Sequence, residues 1–153
     1  MLCVGTRKYT KKGSFMKYLT SILILLFINT TIHAYDGLPN EQVESFFKDI
    51  SSGKTSEAID NLYSNNPSIK SKTQAITMIK QQLISINTLF GKYIGNENIH
   101  NEQLSASLTR IVQISKHELH PVTWIFYFYK AKDKWIVSAA SFNDRFQSIN
   151  STK

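Results

Sequence analysis

Val122-Thr123-Trp124-Ile125-Phe126-Tyr127-Phe128-Tyr129 is the most informative run of this chain. In an extended backbone successive side chains point to opposite faces. Val122, Trp124, Phe126 and Phe128 therefore share one face, and Thr123, Ile125, Tyr127 and Tyr129 share the other. Bulky side chains on both faces predict an interior strand of a sheet rather than an edge.

Downstream, the charged stretch Lys130-Ala131-Lys132-Asp133-Lys134 reads as a turn into a last strand, Lys134 to Phe142. The small residues of Ser138-Ala139-Ala140-Ser141 lower the wall of the sheet beside the bulky strand, leaving room for a pocket or for a closely packed helix. Upstream, period-two segments at Lys92 to Ile99 and Leu104 to Lys116 supply two more strands, and short polar connections predict an antiparallel meander.

Ahead of the strands the period changes to that of helices. Val43, Phe46, Phe47 and Ile50 fall at i, i+3, i+4 and i+7 behind the capping candidate Asn40. Thr55 opens a second short helix carrying Ile59, Leu62 and Tyr63, which Asn65-Asn66-Pro67 ends. A third runs from about Lys72 to Phe90, with Gly91 where a C-terminal glycine belongs. Helices first and strands afterwards predict a single α+β domain with N-terminal helices packed on a curved antiparallel four-stranded sheet.

The element order, the segment Phe90-Gly91-Lys92-Tyr93-Ile94-Gly95-Asn96-Glu97, and the ending from Trp124 through Trp135-Ile136-Val137 to Phe142-Asn143-Asp144 resemble the NTF2-like superfamily, in particular its small exported members. The resemblance runs from about Glu41 to Asp144. It implies a cone with a cavity at its open end, which members use for ligands, catalysis or dimer contacts. A cystatin-like arrangement is the nearest alternative.

The N-terminal third reads differently. Arg7, Lys8, Lys11, Lys12 and Lys17 precede the apolar core Leu19–Ile28, and His33-Ala34 closes the segment. That order is a leader and secretory signal, with Met16 as the expected start, Ala34 the last residue removed, and Tyr35–Lys153 the exported domain, secreted or periplasmic. An uncleaved membrane anchor is the alternative, although the apolar core falls short of the ~20 residues a span needs. Five of the 18 Lys+Arg residues and none of the 11 acids lie in this segment, so the remainder carries 13 bases and 11 acids, a net of +2. The whole-chain charge of +7 is therefore no argument for nucleic-acid binding. The single cysteine, Cys3, lies ahead of the core, which excludes disulfides and thiolate chemistry after Ala34.

Several residues could carry function. Arg110 shares strand parity with Leu108, Val112 and Ile114, and pointed into a cavity it would suit an anionic ligand; at the rim it would pair with Glu97 or Asp144. Trp124, Phe126, Tyr127 and Trp135 could clamp an apolar ligand or simply form core. His117 and His120 flank a turn but lack a third ligand at a metal-binding spacing, so no metal or cofactor is expected. Glu97 or Asp144 with Tyr127 or Tyr129 could supply the base and donor of a small isomerase or hydratase. The leading expectation is an exported, non-catalytic module that binds a small apolar or anionic ligand or a protein partner. Dimerisation through the sheet is a further option.

Overall fold

The computed structural model describes residues 37–145 and residue 149, all within the compact unit Ile32–Lys153. The expected leader, Met16 start and Ala34 cleavage position, and most of the polar C-terminal stretch Gln147–Lys153, lie outside the described residues. Four helices come first: α1 (Pro39–Ser51), α2 (Thr55–Tyr63), the single-turn α3 (Pro67–Lys70) and α4 (Thr73–Phe90). Four strands follow: β1 (Tyr93–Ser105), β2 (Leu108–His117), β3 (Val122–Ala131) and β4 (Lys134–Asn143). The strands form one antiparallel sheet in the order β1-β2-β3-β4, so the fold is α+β.

Strand β3 is interior, as its two bulky faces require. Its face carrying Val122, Trp124, Phe126 and Phe128 joins Ile111 and Val137 of the neighbouring strands in the hydrophobic core. Into that core α1 sends Val43, Phe46, Phe47 and Ile50, α2 sends Ala58, Ile59, Leu62 and Tyr63, and α4 sends Leu83 and Ile86. Burying such side chains contributes ~1.5–3 kcal/mol each, which is what holds short helices that would be marginal alone. Helices α1, α2 and α4 thus cover this inner face; Leu108, Arg110, Val112, Ile114, Thr123, Ile125, Tyr127 and Tyr129 belong to the outer one.

Two amides fasten the helical layer to β4. Gln42 on α1, 1% exposed, donates through Nε2 to the carbonyls of Gly37 and Trp135, each at 3.0 Å. Asn66 caps α3 by accepting from the Ile69 amide at 3.3 Å, and its Nδ2 donates to the Val137 carbonyl at 2.8 Å. The Asn66-Pro67 pair therefore does more than end α2: it opens a turn of helix and holds it against the sheet.

Some boundaries differ from the sequence reading. The N-cap of α1 is Leu38, whose amide donates to Oε2 of Glu41 at 2.9 Å, rather than Asn40; Asn40 sits inside the helix and accepts from Asn101 on β1. Strand β1 runs on to Ser105, so the hairpin turn falls at Ala106-Ser107. Its polar residues kept it looking like a loop, but an edge strand with an exposed margin tolerates them.

Candidate functional site

The structure divides the residues expected to form one cavity between the two faces of the sheet. Trp124 and Phe126, 2% and 0% exposed, are core. Trp124 stacks on Phe126 with ring centres 5.8 Å apart, meets Phe46 edge-on at 5.1 Å and tilts against Phe142 at 4.8 Å. Trp135 is half-buried and packs against the same cluster. Aromatic rings at these separations are in direct contact, so this set fills its own space.

Arg110 and Tyr127 are cross-strand partners on the outer face. The Arg110 side chain is 5% exposed, and its Nη1 lies 3.6 Å from Oε2 of Glu102, the residue opposite it on β1. That separation exceeds the ordinary range of a hydrogen bond. Among the described residues Arg110 Nε has no hydrogen-bond partner, and neither does the hydroxyl of Thr123 on the same face. Strand parity thus grouped Arg110 correctly with Leu108, Val112 and Ile114, but on the face opposite the Trp124 stripe.

The pairings proposed for acid–base chemistry do not converge. Glu97 stands opposite Ile114 and Arg110 opposite Tyr127, so Glu97 and Tyr127 are separated by a strand and by four register positions. Glu97 instead accepts from Lys116 Nζ at 2.6 Å. Asp144 lies just beyond the end of β4, where its carbonyl meets His120 Nε2 at 3.3 Å.

His117 is no solvated turn residue: it is 8% exposed and ends a buried polar chain. Trp124 Nε1 donates to Ser115 Oγ at 3.0 Å, Ser115 Oγ lies 3.2 Å from His117 Nε2, and His117 Nδ1 lies 3.1 Å from the Gly91 carbonyl. A carbonyl only accepts, which places the proton of the ring on Nδ1 and leaves Nε2 to accept from the serine hydroxyl. A serine beside a histidine is the geometry of an activated nucleophile. Here Ser115 is 2% exposed and its oxygen is already engaged by the indole, so the chain joins β2, β3 and the end of α4 rather than facing a substrate. No group of three metal-ligating side chains occurs among the described residues.

A recess that sequence reasoning did not anticipate lies in the helical layer. It has a volume of about 310 Å³ and is lined by Ile59, Asp60 and Tyr63 of α2, Lys70 of α3, and Thr73, Ile76, Thr77 and Lys80 of α4, with Ser64 between α2 and α3. Ile59 and Tyr63 form an apolar floor, 1% and 4% exposed. Burial pushes the Tyr63 hydroxyl above its ordinary pKa of 10.0, opposed by a hydrogen bond with the Ala140 backbone. Lys80 pairs with Asp60 at 2.6 Å on the rim. The only sequence signal was the abrupt Asn65-Asn66-Pro67 break after α2. No protein-family model, curated protein or solved structure matches the chain.

Proposed function

We propose that this chain is an exported, non-catalytic binding module of the NTF2-like kind, whose ligand or partner brings an acidic group to Arg110 on the outer face of the sheet. The observation that carries the reading is the state of that side chain: a guanidinium 5% exposed, its Nε without a partner among the described residues and Oε2 of Glu102 3.6 Å away. Taking a charge out of water costs several kcal/mol, and a buried unpaired donor adds about 1–3 kcal/mol. A carboxylate from a bound molecule offsets both by accepting two parallel hydrogen bonds. Ile125 and Tyr127, half-buried on the same face, offer apolar contact to the rest of that molecule, and Tyr129, 47% exposed, marks the open side.

Export rests on the order of Lys17, the apolar Leu19–Ile28 and the small residue Ala34. No helix among the described residues is long and apolar enough to cross a membrane. The test is native intact-mass analysis of the chain expressed from Met16 and recovered from the exported fraction. The expected product starts at Tyr35 and carries an acidic small molecule or protein that Arg110→Gln releases while the circular dichroism spectrum is unchanged. A processed domain that carries nothing acidic, or one whose load survives Arg110→Gln, overturns the proposal.

A further inference from the structure

The recess between α2, α3 and α4 has the make-up of a small-molecule site distinct from Arg110. Ligand sites are concave, mostly apolar, carry a few placed polar groups and span roughly 300–1,000 Å³, and this recess falls at the small end of that range. Its floor is the ring of Tyr63 with Ile59, and half-buried Ile76 forms one wall. The charges around it do not balance: Lys70 and Lys80 face a single carboxylate, Asp60, which Lys80 already engages at 2.6 Å. Lys70 Nζ has no hydrogen-bond or ion-pair partner among the described residues. The hydroxyl of Thr77 donates to the Thr73 carbonyl at 3.0 Å, so it is committed, whereas the Thr73 hydroxyl, which lines the recess with Lys70, has no hydrogen-bond partner among the described residues. An apolar floor beneath an uncompensated ammonium and a free hydroxyl matches an anion with a compact hydrocarbon body.

We infer that this recess binds a small amphipathic carboxylate, the hydrocarbon lying on Ile59, Tyr63 and Ile76 and the carboxylate meeting Lys70 and Thr73. The probe is octanoate, titrated calorimetrically into the chain, with 1-octanol as the uncharged control. Two surface variants read out the site, Thr77→Phe to occlude the mouth and Lys70→Glu to reverse the charge, while Arg110→Met, at a buried position, reports the outer face separately. Octanoate is expected to bind one-to-one, at least tenfold more weakly in Thr77→Phe and about tenfold more weakly in Lys70→Glu, the loss that follows from removing one charge-assisted contact. Octanol is expected to be indifferent to Lys70→Glu, and octanoate indifferent to Arg110→Met. Absence of saturable octanoate binding, equal affinity in the two recess variants and the parent, or loss confined to Arg110→Met overturns the inference. Because Lys70 and Thr77 are both exposed, neither substitution removes a core contact.

Discussion

Ser115 Oγ accepts the indole N–H of Trp124 at 3.0 Å across the β2–β3 ladder, and both residues are at most 2% exposed. The serine is the middle of a chain that continues to His117 and the Gly91 carbonyl, so three separate elements depend on one small hydroxyl. Replacing it by Ala strands the indole donor and the histidine acceptor in a dry interior. Ser115→Ala is expected to lower unfolding free energy by about 1–3 kcal/mol, read from the urea midpoint at constant slope. A midpoint equal to that of the parent would show that water replaces the hydroxyl.

Trp124 should report on stability rather than on binding. Its ring lies against Phe46, Phe126 and Phe142, and truncation leaves a cavity the core cannot close. Trp124→Ala is expected to cost about 3–5 kcal/mol. Tyr129→Ala, at a position 47% exposed, should stay within about 0.5 kcal/mol. Thermal unfolding of the two variants side by side checks the contrast.

Tyr63 makes stability fall at high pH. Burial raises its folded-state pKa above the ordinary 10.0, so the folded chain keeps the phenolic proton where the unfolded chain releases it. Its contribution is complete below pH 10.0 and declines as the pH rises from there through the folded-state pKa. Tyr63→Phe should therefore lower stability by a similar amount at neutral pH whatever the buffer, and should flatten the alkaline decline. Urea midpoints of parent and variant between about pH 8 and about pH 11 measure the difference; parallel curves would refute the assignment.

Gly91 and Gly53 both have positive φ, +82° and +75°, yet they should respond unequally to a methyl group. At Gly53 an added Cβ meets nothing within 4 Å, so only the backbone cost of about 1–2 kcal/mol applies. At Gly91 the same atom would lie 2.9 Å from Cβ of Glu118, an atom fixed to the backbone, and the connection from α4 to β1 would have to shift. Gly91→Ala is expected to lose clearly more stability than Gly53→Ala. Equal losses in chemical denaturation would contradict the close approach.

How much of this could be read from the chain follows from the range of each interaction. Helices α1, α2 and α4 and the four strands were legible because the 3.6- and 2-residue periods are local properties of the sequence, and β3 was recognisable as interior from its two bulky faces. The single-turn α3 was not, since four residues carry no period; only the Asn66 side chain reaching Val137, 71 residues away, makes it worthwhile. From the sequence His117 only flanks a turn, because nothing near it announces Gly91, 26 residues earlier, as the partner of its ring.

The same limit separates the candidate residues. Alternation alone determined that Arg110 sides with Val112 and that Trp124 sides with Phe126 and Phe128, because parity is set by the pleat of each strand. It could not determine how the parities of β2 and β3 match or which face the helices take. The antiparallel register, Arg110 opposite Tyr127 and Ile111 opposite Phe126, settles the first. The second is decided by α1 and α2, whose Phe46, Phe47, Ile59 and Leu62 cover Trp124 and Phe126 and turn an expected ligand clamp into core. The recess among α2, α3 and α4 likewise belongs to tertiary structure alone, since its walls come from residues whose closeness depends on how three helices pack and on no periodicity within any one of them.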